Sequence, residues 1–138
     1  MIKVVLFDYG RVLSGLLIPR LRVRKLAQEL RRHGIKTGIL SNIFLTAAWF
    51  LKLIGGYRGF DPIILSFKEK IAKPNPRIYQ IAIERAAVKP EEIIFIDNLE
   101  ENIATAKQMG MKVVLAKNSE QVIADVKRIL LRENSLKL

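Results

Sequence analysis

The sequence predicts an α/β fold, a five-stranded parallel sheet between two layers of helices. Short apolar runs alternate with helix-period segments along the chain, the pattern of βαβ units. Those runs are nearly continuous rather than alternating, as expected of strands covered by helices on both faces. The 138 residues, 50% of them hydrophobic, suit one compact domain spanning 1–138, with no internal repeat or linker.

Lys3 to Phe7 is the first strand. Val23, Leu26, Ala27 and Leu30 recur at i, i+3, i+4 and i+7, one stripe of a helix that ends near His33-Gly34. Its other faces carry Arg20, Arg22, Arg24, Lys25, Arg31 and Arg32, either an ordinary solvated face or part of an anion-attracting surface. His33, the only histidine, reads as a helix-end cap rather than a catalytic base. Lys36 to Leu40 is the second strand, and a helix follows over Leu45 to Leu53, stopped by Gly55-Gly56. On that helix Trp49 and Phe50 are expected in the core or at an interface, with a base-stacking platform as the alternative. Pro62 to Leu65 is the third strand, and a helix starts after Pro76. Ile93 to Ile96 is the fourth, followed by a helix from about Glu100 to Met109 with Gly110 as its stop. Lys112 to Leu115 is the fifth. The last helix shows Val122, Ile123, Val126, Ile129 and Leu130 on one side, and the tail from about Glu133 is expected to fray.

Composition narrows the chemistry. The absence of cysteine excludes disulfides, thiolate metal sites and a cysteine nucleophile, and is compatible with a cytoplasmic location. No signal peptide is read at the start, and the longest uncharged run, Thr37 to Leu51, is too short for a membrane helix, so no membrane partner is expected. With 24 Lys+Arg against 13 Asp+Glu, the formal net charge is +11. That field either serves solubility or concentrates anionic, phosphorylated ligands.

The chemistry-bearing residues fall just beyond the strands. Asp8 follows the first, Ser41 and Asn42 the second, Lys73 comes after the third, and Asp97 and Asn98 follow the fourth. In open parallel sheets ligands bind at the carboxyl ends of strands, so these residues converge on one crevice. As a set they suit phosphoryl transfer. Asp8 can attack phosphorus to form an aspartyl-phosphate. Ser41 can hydrogen-bond the equatorial phosphate oxygens, and Lys73 can neutralise them. Asp8 and Asp97 supply the hard oxygens that Mg²⁺ prefers.

Four strings, Val4 to Leu13 with Phe7-Asp8-Tyr9-Gly10 at its centre, Gly38 to Asn42, Ile64-Leu65-Ser66 with Lys73 to Tyr79, and Phe95 to Ile103, occur in order. Together they resemble the motifs of the haloacid dehalogenase (HAD) superfamily, mostly Mg²⁺-dependent phosphatases, over Lys3 to about Lys117. The resemblance implies a Rossmann-like three-layer sandwich. It implies Asp8 as nucleophile, Ser41, Asn42 and Lys73 as the phosphate-binding set, and Asp8, the Gly10 carbonyl, Asp97 and Asn98 as Mg²⁺ ligands.

Three departures accompany it. The family usually carries a second aspartate, the general acid and base, where Gly10 stands, although an FDxG-type subgroup also has glycine there. The fourth motif more often has two acids, whereas here Asn98 is neutral, as is Asn102 where an acid is frequent. The helical cap usually inserted after the first motif is missing, since only Leu13 to about Leu21 separate strand from helix. An uncapped site favours a large, macromolecular phosphorylated substrate, a second copy or other partner acting as lid, or no catalysis.

The expected function is a Mg²⁺-dependent phosphatase of low or unusual activity. The first alternative is a degenerate relative that binds a phosphorylated ligand or a protein partner without turnover. A nucleic-acid end phosphatase or binding module rests on charge alone. A dehalogenase is weaker, because in that branch the tyrosine stands two residues after the nucleophile and Tyr9 is adjacent to it.

Overall fold

A computed structural model of the chain describes residues 1–14 and 20–138. The strands are β1 (Val4–Phe7), β2 (Lys36–Ser41), β3 (Ile63–Leu65), β4 (Ile93–Asp97) and β5 (Lys112–Leu115). They form one parallel sheet in the order β3-β2-β1-β4-β5. Phe7 lies opposite both Ile39 and Ile96, so the strands around β1 end nearly level. The chain's path reverses across β1 and β4, the place where open sheets leave a crevice for ligands.

Side-chain alternation sorts the strands into two cores. Val5, Phe7, Ile39, Ile94 and Ile96 face α1 (Leu21–Arg32) and α6 (Ser119–Asn134), meeting the predicted stripes Val23, Leu26, Ala27, Leu30 and Val122, Val126, Leu130. Val4, Leu6, Leu40, Ile64, Ile93 and Phe95 face α4 (Pro76–Ala86) and α5 (Glu100–Gln108) through Ile78, Tyr79, Ala82 and Ala106. The result is the three-layer sandwich read from the continuous apolar runs. Gly38 permits a close approach within it, since a Cβ there would lie 2.6 Å from the Pro62 carbonyl and 2.7 Å from Leu6.

Three elements differ from the sequence reading. The last helix, α6, passes Glu133 and ends at Asn134, whose side chain accepts from the Ile2 amide (2.6 Å) and donates to the Ile2 carbonyl (2.9 Å). Leu136 and Leu138 then pack against the core, so apolar contact holds what terminal position alone would release. A one-turn helix, α3 (Ser66–Glu69), follows β3 directly. The third is α2 (Leu45–Leu53), which buries only Ala48 and leaves Trp49 and Phe50 exposed, excluding the core as one of the two places expected for them. The connection where a cap would be inserted includes residues 15–19, outside the described residues.

Candidate active site

The carboxyl ends of β1, β2 and β4 bring Asp8, Ser41 and Asp97 together, and the loop before α4 delivers Lys73 between them. Lys73 is buried, and its ammonium donates to Asp8 Oδ1 (2.9 Å), Asp97 Oδ2 (2.5 Å) and the Leu40 carbonyl (2.9 Å). Three protons meet three acceptors, which is what a charge removed from water requires. The ammonium also lies 5.3 Å from the Phe95 ring centre.

Burial pushes the Asp8 carboxyl above its ordinary range; the Lys73 charge opposes the rise, the Asp97 charge adds to it, and the Ser41 hydroxyl pulls it down. The Asp8 carboxyl is poorly solvated beside one compensating cation. Asp97 is gripped harder. Its Oδ1 accepts from the Leu99 amide (2.9 Å), and its Oδ2 accepts from Asn102 Nδ2 (3.0 Å) as well as from Lys73.

Asn42, expected at the phosphate, also binds the Lys73 backbone. Its Nδ2 donates to the Lys73 carbonyl (2.9 Å) and its Oδ1 accepts from the Lys73 amide (2.8 Å), so the amide side chain is committed to placing Lys73. Ser41 is buried at the end of β2, next to Asp8. His33 closes the far end of α1, its ring nitrogen 2.9 Å from the Glu29 carbonyl, and takes no part in the site. Tyr9 is also turned away: its hydroxyl accepts from Arg24 (2.6 Å) and its ring meets Tyr57 edge-on at 5.7 Å. The Arg24 anchor of the segment between Asp8 and Gly10 was missed from the sequence, because nothing local links residues 15 positions apart.

Gly10 has an ordinary backbone (φ −53°), and a Cβ built on it would sit 3.6 Å from Asp8 Oδ2, in van der Waals contact. A Cβ is therefore tolerated there, beside the Asp8 oxygen that Lys73 does not hold. The strained residue is the next one, Arg11, at φ 22°.

Asp8, Asp97, the Gly10 carbonyl and the Asn98 amide are all hard oxygen donors, the type Mg²⁺ takes. A carboxylate has about four lone-pair sites, and Asp97 uses three of them, so a metal bond remains open to it. Asn102 Oδ1 is buried with no partner among the described residues, a further oxygen beside Asp97. The donor set fits the ion chemically but carries only two acids, and among the described residues no group of three or more acids or histidines is assembled.

The model of haloacid dehalogenase-like hydrolases matches residues 2–110. The chain belongs to that family. It is 30% identical over 127 residues to a glyceraldehyde 3-phosphate phosphatase of Methanothermobacter thermautotrophicus, covering 91% of this chain and 56% of that one. A HAD-family enzyme of Bacteroides thetaiotaomicron, solved with magnesium and inorganic phosphate, is 31% identical with a TM-score of 0.62 over 72% of this chain and 53% of that one. A Corynebacterium glutamicum protein shares the fold at a TM-score of 0.82 and 23% identity, covering 94% of this chain and 95% of that one. Among the first curated relatives, this HAD-like hydrolase spans between 10% and 56% of their length. No helix among its described residues is long and apolar enough to cross a membrane.

Proposed function

We propose that this hydrolase is a Mg²⁺-dependent phosphatase acting through an aspartyl-phosphate on Asp8. The buried Lys73 ammonium bonded to both Asp8 and Asp97, with Ser41 alongside, carries the reading. The phosphate and magnesium bound by the Bacteroides relative support it.

Asp8 Oδ2, the oxygen that Lys73 leaves free, attacks phosphorus, and the bond to the leaving oxygen breaks. Lys73 and the Ser41 hydroxyl stabilise charge on the equatorial oxygens. Asp8, Asp97, the Gly10 carbonyl and Asn98 would hold Mg²⁺, which would further neutralise the phosphate when bound. Water then attacks the acyl-phosphate, releasing inorganic phosphate and restoring the carboxylate. With glycine at position 10, the leaving alkoxide takes its proton from water. A general acid is worth about 10²–10⁴ in rate, so the enzyme is slow on alkyl phosphates and favours acidic leaving groups such as aryl or acyl phosphates.

The test is hydrolysis of p-nitrophenyl phosphate with Mg²⁺. Turnover is expected in the parent protein and lost in Asp8→Asn and on chelation. Undiminished turnover in Asp8→Asn overturns the mechanism. One observation favours a second reading, a phosphate-binding protein without turnover: position 10 tolerates a Cβ next to Asp8 yet carries no side chain. Calorimetric binding of phosphate with no detectable hydrolysis would select that reading.

A further inference from the structure

We infer that α2 is a self-association surface, on which a second copy of this chain packs antiparallel about a two-fold axis near Trp49. A surface helix ordinarily shows charge to solvent and apolar groups to the core, and α2 does the reverse. Its inward side buries Ala48 alone, while Phe44 (84% exposed), Leu45 (63%), Trp49 (66%), Phe50 (57%), Leu53 (69%) and Ile54 (56%) stand open. Among the described residues nothing covers them.

The area suits a dimer. With aromatic side chains burying about 150–250 Å² each, the six offer on the order of 700 Å² of apolar surface, close to the roughly 800 Å² that each partner contributes to a standard interface. Patches of that size on soluble monomers mark interaction sites, and exposed tryptophan and phenylalanine are the side chains that anchor them.

Charge and sequence pattern name the occupant. The chain carries +11, so a second copy can approach only where charge is absent. Leu45, Thr46, Trp49, Phe50 and Leu53 share the outward face of α2, and Lys52, the only charge in the helix, lies at its margin at helical spacing. Leu45 and Leu53 stand four residues either side of Trp49, so the central stripe Leu45-Trp49-Leu53 reads alike in both directions, while Thr46 and Phe50 flank it without counterparts. An antiparallel pair therefore sets Leu45 of each copy on Leu53 of the other, the self-complementarity an isologous interface needs. Because α2 leaves the strand end that carries Ser41, this pairing brings the second copy to the open rim of the site.

Trp49 is the only tryptophan, so its emission reports on this face without labelling. Sedimentation of the intact chain over a dilution series is expected to give twice the 15.7 kDa of one copy. Tryptophan emission should shift to the red as the dimer dissociates. Added salt should strengthen association by screening the like charges. Leu45→Glu and Leu53→Lys should each be monomeric with red-shifted emission, and the double variant should dimerise again because the antiparallel register pairs the two new charges. A monomer at every concentration overturns the inference. So does a dimer indifferent to both single substitutions, two monomeric singles with no recovery in the double, or emission that turns blue only on anionic phospholipid vesicles.

Discussion

On the floor of the site Lys73 has an acceptor for each of its protons, Asp97 accepts three bonds, and Asn42 pairs with the Lys73 backbone at both ends. On the rim Gly10 presents only backbone, Asn98 an uncharged amide, and α2 a row of open apolar side chains. The floor's buried charges need their partners, because unpaired ones are costly to keep. Folding makes no such demand on the rim. Its residues can change while the fold persists, so the contrast separates what holds the site together from what sets its rate.

The strongest way to break the floor is Lys73→Met. Removing the cation leaves Asp8 and Asp97 buried without a counter-charge, and losing one partner of such a pair costs about 3–5 kcal/mol. Urea unfolding is expected to show that loss; parental stability in this variant would refute the electrostatic account of the floor. The rim answers differently. Gly10→Asp should leave unfolding nearly unchanged, since the added Cβ meets Asp8 Oδ2 at 3.6 Å. Its hydrolysis of alkyl phosphates should rise by about 10²–10⁴, and of aryl phosphates by less. Asn98→Asp adds one charge to the metal donors, and the Mg²⁺ concentration for half-maximal rate should fall by roughly tenfold.

The smallest effect concerns Asp8 itself. Its folded carboxyl titrates above the unfolded one because of burial. Between the two pKa values the native state holds a proton that the unfolded state has lost, so stability falls as pH rises through that window. Asp8→Asn removes the ionisation and should raise Tm at neutral pH. That gain should vanish below the unfolded carboxylate range, about pH 3.9. Thermal melts of both proteins across pH measure the difference, and equal melting curves at neutral pH would show that Asp8 imposes no cost on the floor.

The strands were legible because coverage on both faces writes itself into continuous apolar runs. The crevice was legible because its residues follow those runs directly: Asp8, Ser41 and Asp97 are each read from a strand end. Lys73 was recovered with them through its motif. What depends on distant partners was not visible. Asn42 finds Lys73 across 31 residues and Asn134 finds Ile2 across 132, and neither pairing has a local signature. The apolar content of α2 placed Trp49 and Phe50 in the core or at an interface, and the fold excludes the core for both. Hydrophobicity says that a side chain avoids water, and it does not say which surface will cover it.

Asn42 meets Lys73 as one peptide group meets another in a sheet, giving a proton and taking one. A side chain here does the work of main chain, adding one rung to the ladder past the point where β2 stops. Aspartate would supply only half of that rung, and a longer amide would displace it. The identity of residue 42 thus sets how far the lysine can reach, as a splice fixes the length of a rope.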